Sequence, residues 1–427
     1  MSGGGRARDD WRQLLGIYWV TSFIEAACFS QVLAFLPSYL KQMGVAEPER
    51  LRFVGLFGAL VFIVGMPLVP LWGVWADKYS RKAVIVRSAI VEAVVFGAIA
   101  LSRTPTQLAI SMLLIGLQLG NTGVMLAAIR DATPHKRLGT AIAIFGASGA
   151  VGFAAGPAFG GWLIDARHLS MSFMFGVSSV LSLGAAAVLL IGSREIRPAV
   201  VPTGSTIRLA VEAIRGVFAE RTTRGIFALF GAAVVATQMT RPYIPVLVER
   251  LVGSASAAAG TLSGAARAAA AAGAAGAGTA PNPGLASAIA LVVGTAALAG
   301  ALVSPVGGIL GDRIGFRPVL IAALLGSGAS VGLMPFAPSV PTLAALALGL
   351  AGFQAAVSAM VFGLIATEVP AERRAATINL VYLPLYATGI VGPVVSAGLV
   401  TFEAGGAVRG GGGGVGARRG VGGGAAG

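Results

Sequence analysis

The sequence predicts an all-α membrane protein built from two pseudo-symmetric six-helix bundles. Three observations carry this prediction: a low content of charged residues, long windows without any charge, and a repeat that relates the two halves of the chain. The 427 residues are 56% hydrophobic and 11% charged, whereas soluble domains contain about 25% charged residues. Such a composition cannot cover a water-exposed surface, so the helices are expected to lie in a lipid bilayer.

Eleven segments are long and apolar enough to be spans, because about 20 apolar residues cross the ~30 Å hydrocarbon layer. Windows such as 53–76, 104–129 and 138–164 contain no Asp, Glu, Lys or Arg. The predicted spans are 12–40, 53–76, 83–102, 105–129, 138–164, 170–192, 224–249, 285–311, 318–334, 341–366 and 375–402.

The basic residues between the spans predict the orientation. Twenty Lys and Arg lie in the N-terminus and in the connections on its side, against seven in the opposite connections. The N-terminus of this multi-pass protein is therefore expected to be cytoplasmic, in a plasma (inner) membrane. The same bias accounts for the net charge of +14, so no nucleic-acid partner is expected.

A repeat divides the chain into two halves. At offsets of 235 and 236, eight identities relate them: Gly65, Pro70, Gly73, Asp77, Pro134, Arg137, Gly156 and Pro157 match Gly300, Pro305, Gly308, Asp312, Pro370, Arg373, Gly392 and Pro393. The predicted domains are an N-terminal bundle 1–192, a cytoplasmic linker 193–223 and a C-terminal bundle 224–402.

Two segments do not fit the repeat. Residues 253–284 form an Ala/Gly-rich insertion, and 403–427 form a Gly-rich low-complexity tail where a twelfth span is expected. The tail is interpreted as a truncated or frameshifted C-terminus, with a natural eleven-span protein as the alternative. Flexible low-complexity sequence needs no function in either place.

The turn after span 2 carries a motif that recurs after span 8. The first copy runs from Gly73 to Lys82 and the second from Gly308 to Arg317. In each copy a glycine permits close helix approach, an aspartate ends the helix, and basic residues follow. The residues singled out are Gly73, Asp77, Lys78, Arg81, Lys82, Gly308, Asp312, Arg313 and Arg317.

This pair of motifs resembles the loop signature of the major facilitator superfamily, G-x-x-x-D-[RK]-x-G-[RK]-[RK]. The resemblance implies gating roles and the two-bundle major facilitator fold. Asp77 would hold the halves together against the start of span 11, and Arg81 or Lys82 would pair with Asp131. The mirrored set would be Asp312, Arg317 and Glu368.

Span 5 narrows the resemblance to drug:proton antiporters. Its Gly152, Gly156, Pro157, Gly160 and Gly161 are similar to the G-P-x-x-G-G signature of that group, and small residues at this spacing make a flat packing face. Ordinary small-residue packing is the alternative. Members of the group often have an arginine in span 4, whereas this span is uncharged and has Met112 or Gly116 in the corresponding region.

Ionisable residues at membrane depth are rare and usually functional. Glu25 in span 1 is the leading proton carrier, and Glu92 in span 3 is a weaker candidate. Arg241 in span 7 is expected to pair with Glu25 or to bind an anionic substrate, with snorkelling to the interface as the alternative. The polar residues expected along the cavity are Tyr18, Ser22, Gln118, Asn121, Gln238, Gln354 and Ser358.

The resulting prediction is a secondary active transporter. An enzyme is not expected, since no nucleophile–base constellation, cofactor loop or metal-ligand cluster is apparent. Proton-coupled efflux of amphipathic drug-like compounds by a monomer is favoured. The alternatives are a specific metabolite carrier that uses Arg241 for an anion, and a transport-inactive truncated homologue. The expected partners are a small-molecule substrate, H⁺ and the lipid bilayer, with no cofactor.

Overall fold

The computed structural model describes residues 6–198, 201–262, 284–368, 380 and 382–411, and within these ranges it is helical without strands. In chain order the helices are α1 Arg6–Gln42, α2 Glu49–Lys78, α3 Arg81–Leu101, α4 Pro105–Ile115, α5 Asn121–Ala132, α6 Leu138–Gly161, α7 Met171–Gly192, α8 Thr206–Ala219, α9 Arg221–Thr240, α10 Ile244–Leu262, α11 Leu285–Ile314, α12 Phe316–Leu333, α13 Val340–Glu368 and α14 Leu383–Gly411.

The helices account for the predicted spans. Eight segments of the described chain are long and apolar enough to cross a membrane, and the apolar helices Leu285–Gly300 and Leu383–Leu399 are shorter. Each of the eleven predicted spans overlaps one described helix or two consecutive ones. The prediction of an all-α membrane fold is therefore confirmed.

Local sequence determines where several helices begin. Ser80, Thr104 and Ser170 are N-caps whose side chains accept hydrogen bonds from the first turns of α3, α4 and α7. These hydroxyl groups satisfy backbone N–H groups that have no partner within the helix. At the start of α4, Pro105 follows the cap, where its missing N–H has no cost.

Three segments differ from the predictions. Span 4 is two helices, because a 3₁₀ turn at Gly116–Gln118 and Gly120 at φ +98° interrupt it. The predicted linker contains the helix α8, and α10 continues to Leu262 inside the predicted insertion. Residues 263–283 and 412–427, most of the insertion and of the tail, lie outside the described residues.

The contact between the halves has the symmetry of the repeat. Helix α2 packs against α14, and α6 packs against α11. The repeat relates span 2 to span 8 and span 5 to span 11, so it exchanges these two contacts. The repeat therefore makes these two contacts between the halves equivalent to each other, which is what a pseudo-twofold axis requires.

Candidate functional site

A cavity of about 260 Å³ lies between the two halves. Helices α1, α6, α9, α10, α11 and α13 contribute to its wall, which is mostly apolar. Its polar lining consists of Ser30, Thr237, Arg241 and Gln354, and of the described lining residues Arg241 is the charged one. An apolar cavity with a few convergent polar groups is the usual form of a small-molecule site.

Arg241 lies in the 3₁₀ turn that follows α9. Its side chain is exposed to the cavity, and its Cζ atom is 5.1 Å from the ring centroid of Phe153 on α6. This is cation–π distance, and the contact joins the second half of the chain to the first. The Thr237 hydroxyl, one turn earlier, is buried without a hydrogen-bond partner.

The two glutamines predicted for the cavity have different surroundings. Gln354 lines it, and its Nε2 atom donates to the carbonyl oxygen of Ala233 at 3.0 Å. Gln238 is buried where α9 meets α14, close to Gly389 and Gly392, and does not line the cavity. Ser358 donates to the carbonyl oxygen of Gln354 at 3.1 Å.

Glu25 on α1 is paired with Asn121, another predicted cavity residue. The Asn121 Nδ2 atom donates to Oε2 of Glu25 at 2.6 Å. Asn121 is the first residue of α5, directly after the break in span 4. The positive end of the α5 dipole therefore lies beside this carboxyl group, an arrangement that discontinuous membrane helices use to hold charged groups.

The other residues predicted near Glu25 are Tyr18, Ser22 and Gln118. Tyr18 is buried in a hydrophobic cluster to which α1, α2, α3, α5, α6 and α7 contribute, and Ser22 is half-buried. Gln118 is buried at the break in span 4, where its Oε1 atom has no hydrogen-bond partner.

Sequence reasoning missed a site role for Arg87, which it counted only among the basic residues that indicate the orientation. The guanidinium Cζ atom is 3.8 Å from the Trp72 ring centroid, and Nη2 donates to Ser88 at 2.9 Å. The charges of Arg87 and Glu25 interact. Its position six residues after Arg81, a turn and a half into α3, is the signal that places it inside the bundle.

The expected pair between Arg241 and Glu25 is not formed. Glu25 bonds to Asn121 and Arg241 lies over Phe153, and no ion pair joins the two in the described chain. The two residues that were expected as one pair between the halves therefore belong to two separate sites. One contains Glu25 within the first half, and the other contains Arg241 at the cavity between the halves.

The first turn motif forms a buried ion-pair network around Arg81, which is 1% exposed. Its Nε atom donates to Asp77 at 2.8 Å and its Nη1 atom to Asp131 at 2.7 Å. Arg130 also pairs with Asp131, at 2.9 Å. All of these contacts lie within the first half of the chain.

Glu195 also belongs to this network, although no sequence motif pointed to it. Its Oε1 atom accepts from the backbone N–H of Arg81 at 2.9 Å, and its Oε2 atom accepts from the Ser80 hydroxyl. Lys82 donates to the carbonyl oxygen of Ser193 at 2.8 Å, and Lys78 bonds to the carbonyl of Gly204. The segment after α7 is therefore fastened to the start of α3. Gly73 has an open side, since nothing lies within 4 Å of a Cβ atom placed on it.

Little of the second turn motif can be compared with the first. Gly308 and Asp312 lie on α11, but their side-chain surroundings are outside the described part of the chain. Arg313 and Arg317 are exposed around the turn, and Glu368 is exposed at the end of α13. The start of predicted span 11, where Asp77 was expected to dock, is also outside the described residues.

Five charged residues form an ion-pair cluster at the opposite end of the bundles, and we call it the inter-half clamp: Lys41, Glu47, Arg50, Glu249 and Arg250. Glu249 pairs with Lys41 and, at 3.2 Å, with Arg50. Arg250 pairs with Glu47 at 3.5 Å, and Arg50 with Glu47 at 2.7 Å. Sequence reasoning counted Lys41, Arg50 and Arg250 only as charges of the connections and predicted none of these pairs.

The clamp joins α1 and α2 of the first half to α10 of the second. Arg50 and Glu249 are buried there. Burial raises the pKa of the Glu47 carboxyl, but hydrogen bonds and charges from Arg50 and Arg250 outweigh it and leave that pKa below its ordinary value. Asp165 adds a further bridge nearby, accepting from the backbone N–H and the hydroxyl of Ser287 at 2.7 Å each.

The glycines of the span 5 motif face two partners. Cβ atoms on Gly152 or Gly156 would collide with the carbonyl oxygens of Phe23 or Ala27 on α1. One on Gly160 would collide with Phe35, and one on Gly161 would lie 2.9 Å from the carbonyl oxygen of Ala286 on α11. Pro157 is buried inside α6 between these contacts.

Comparisons with known proteins agree with this architecture. The chain matches the family described as Major Facilitator Superfamily over residues 18–282 and 282–406. It is 30% identical to the multidrug resistance protein MdtG of Enterobacter lignolyticus (strain SCF1), over 74% of this chain and 68% of the relative. It is also 30% identical to MdtG of Salmonella typhi, over 74% of this chain and 71% of the relative.

Two solved structures have similar folds. A mutant of the nucleoside transporter NupG has a TM-score of 0.71 at 15% identity, with 90% of each chain covered. A bacterial homologue of the human lysosomal transporter Spinster, solved inward-facing and unoccupied, has a TM-score of 0.70 at 17% identity, with 96% of this chain and 86% of that chain covered. At these identities the likeness concerns the fold alone.

Proposed function

This chain belongs to the major facilitator superfamily, and from that premise we propose that it exports small amphipathic compounds in exchange for protons. As a member of the family it is a multi-pass membrane transporter. Export, proton coupling and a place in the plasma (inner) membrane are our proposals. The names of the MdtG relatives, multidrug resistance proteins, support the substrate class.

The observation that carries the proposal is the separation of Glu25 from the cavity. A proton can then bind at Glu25 and the substrate in the cavity at different times. In this proposal, the two binding events favour different arrangements of the halves. Glu25 is bonded to Asn121 at the start of α5, so a change in its protonation acts on the helix that follows the break. Losing a proton creates a charged acceptor for Asn121, and gaining one weakens that bond.

The distribution of basic residues supports the proposed orientation, with the N-terminus in the cytoplasm. With the turn motifs in the cytoplasm, the inter-half clamp closes the outer side, and the cavity belongs to a state that is shut to the outside. Transport then requires the clamp to open while the halves rock about the cavity. The boundaries 1–192, 193–223 and 224–402 remain our proposed division of the chain into bundles and linker.

The test is transport in proteoliposomes with an imposed pH gradient. The probes are ethidium, the neutral N-phenyl-1-naphthylamine and its anionic analogue 8-anilino-1-naphthalenesulfonate. We expect Glu25→Gln to abolish gradient-driven transport of every probe that the unmodified protein moves. Glu49→Gln is the matched control, since Glu49 is exposed and lies near the clamp. Gradient-driven transport that survives in Glu25→Gln removes Glu25 from the mechanism.

A specific carrier of small anions is the second candidate. It is favoured by Arg241, the charged residue of the cavity wall, beside the unpartnered hydroxyl of Thr237. The two naphthyl probes separate the candidates, because they differ by one sulfonate group. Loss of transport of the anionic probe alone in Arg241→Gln favours the anion carrier, whereas equal transport of both probes by this variant counts against it.

A further inference from the structure

A second buried carboxyl group lies in the first half, away from the cavity. Glu92 is on α3 and is 2% exposed. Its Oε2 atom accepts one long hydrogen bond, 3.5 Å, from the hydroxyl of Ser182 on α7. Its Oε1 atom is buried and has no hydrogen-bond partner. A buried polar atom without a partner is rare in folded proteins and requires an explanation.

The surroundings of Glu92 contain hydroxyls, a thiol and one other carboxyl group. Glu25 and Cys28 on α1 interact with it electrostatically. Helix α7, which packs closely on α3, offers Ser182 and has no ionisable side chain, and neither has α4. On α3 itself, Arg87 lies five residues earlier and is engaged with Trp72. No cation contacts Glu92 in the described part of the chain.

Further polar contacts join the helices that surround Glu92. The Ser178 hydroxyl donates to Gln31 at 3.1 Å, and the Cys28 thiol contacts the carbonyl oxygen of Ser178. Ser179 ties α7 to the carbonyl oxygen of Ala93 at 2.6 Å. These bonds fix α1, α3 and α7 around Glu92 without using its free oxygen. Hydrogen bonds other than those of Glu92 therefore also hold these three helices together.

We propose that Glu92 is a second proton-binding site of the transporter, in addition to the one that we assign to Glu25. The inference rests on the proposed proton coupling and adds a second proton to it. The proton would bind at the free Oε1 atom.

A structural role is the competing explanation, in which Glu92 only bonds α3 to α7. Infrared difference spectra of the reconstituted protein, recorded between acid and alkaline pH, separate the two. Titration gives a carbonyl stretching band of a protonated carboxylic acid that is lost in Glu92→Gln. The Ser182→Ala variant should shift this band, because the hydroxyl bonds to Glu92. Ser179→Ala, whose hydroxyl bonds to backbone on the same helix pair, should leave it unchanged.

Counting protons gives an independent readout. The purified protein is moved from alkaline to acid solution, and the protons that it takes up are measured with a pH indicator. Glu25→Gln and Glu92→Gln should each take up one proton fewer than the unmodified protein, and the double variant two fewer. If Glu92→Gln takes up as many as the unmodified protein, or if its spectrum keeps every carboxyl band, Glu92 is structural and the inference is wrong. If Glu25→Gln alone leaves the count unchanged, the proposed proton carrier fails and Glu92 is judged by its own variant.

Discussion

Removing the carboxylate of Glu249 should open the inter-half clamp. This residue is the part of the second half that meets two cations of the first, Lys41 and Arg50. The change Glu249→Gln keeps the size of the side chain and removes its charge. We expect the population of molecules closed at this end to fall, because both cations lose their partner across the interface.

The two pairs contribute unequally, as their exposure shows. The Lys41 side chain is 55% exposed, and an exposed pair contributes only about 0.2–1 kcal/mol. Arg50 is 7% exposed, and removing one partner of a buried pair costs about 3–5 kcal/mol. Arg50 keeps its bond to Glu47 at 2.7 Å, so we expect Glu249→Gln to destabilise the closed state by only about 2–3 kcal/mol. This corresponds to a decrease of about 30- to 150-fold in the ratio of closed to open molecules.

Distance measurements between spin labels test this prediction. The labels are placed at Arg103→Cys and Ser254→Cys, which are exposed at this end on the two halves, with the buried Cys28 replaced by Ala. We expect a longer distance to gain population in Glu249→Gln. Glu49→Gln is the control, because it neutralises an exposed carboxylate in the same region. Identical distance distributions in the two variants would refute the reasoning.

Three further predictions concern packing and charge. Gly156→Val should destabilise the protein by about 1–3 kcal/mol in thermal unfolding, because α1 backbone occupies the space, whereas Gly149→Ala, with nothing within 4 Å, should be neutral. Arg81→Gln should lower the unfolding temperature, whereas Arg317→Gln, which removes an exposed arginine of the second motif copy, should not; equal effects would contradict the buried network. Because the pKa of Glu47 is lowered, its contribution to closure is present above the ordinary carboxyl range and is lost as the pH falls through the lowered value. Acid should therefore lengthen the spin-label distance, and Glu47→Gln should reduce that response.

The spans and the fold class were predictable because they depend on local properties. A window without charge, such as 138–164, has one stable environment, and the repeat then implies a symmetric arrangement. The cap at Ser80 and the basic turns are likewise readable from short motifs. These features need no knowledge of which helices touch.

The partners of the buried ionisable residues were not predictable in this way. Arg241 and Glu25 are the obvious opposite charges, yet one lies over Phe153 and the other bonds to Asn121. Which faces meet depends on helix rotation and on the break at Gly120, a single glycine among many. The clamp was missed because its members are distant in sequence and resemble ordinary loop charges. Helix α8 was missed because Arg208 and Arg215 gave its segment the composition of a linker.

The contact between α6 and α11 has a consequence for how the halves move relative to each other. Where α6 meets α11, a Cβ atom on Gly161 would lie 2.9 Å from the carbonyl oxygen of Ala286, and one on Gly294 would lie 3.1 Å from that of Ala154. Interlocked side chains would have to leave and re-enter their rotamer wells whenever the helices change angle. Because main chain lies against main chain at this contact between the halves, α6 and α11 can change their crossing angle there without separating interlocked side chains.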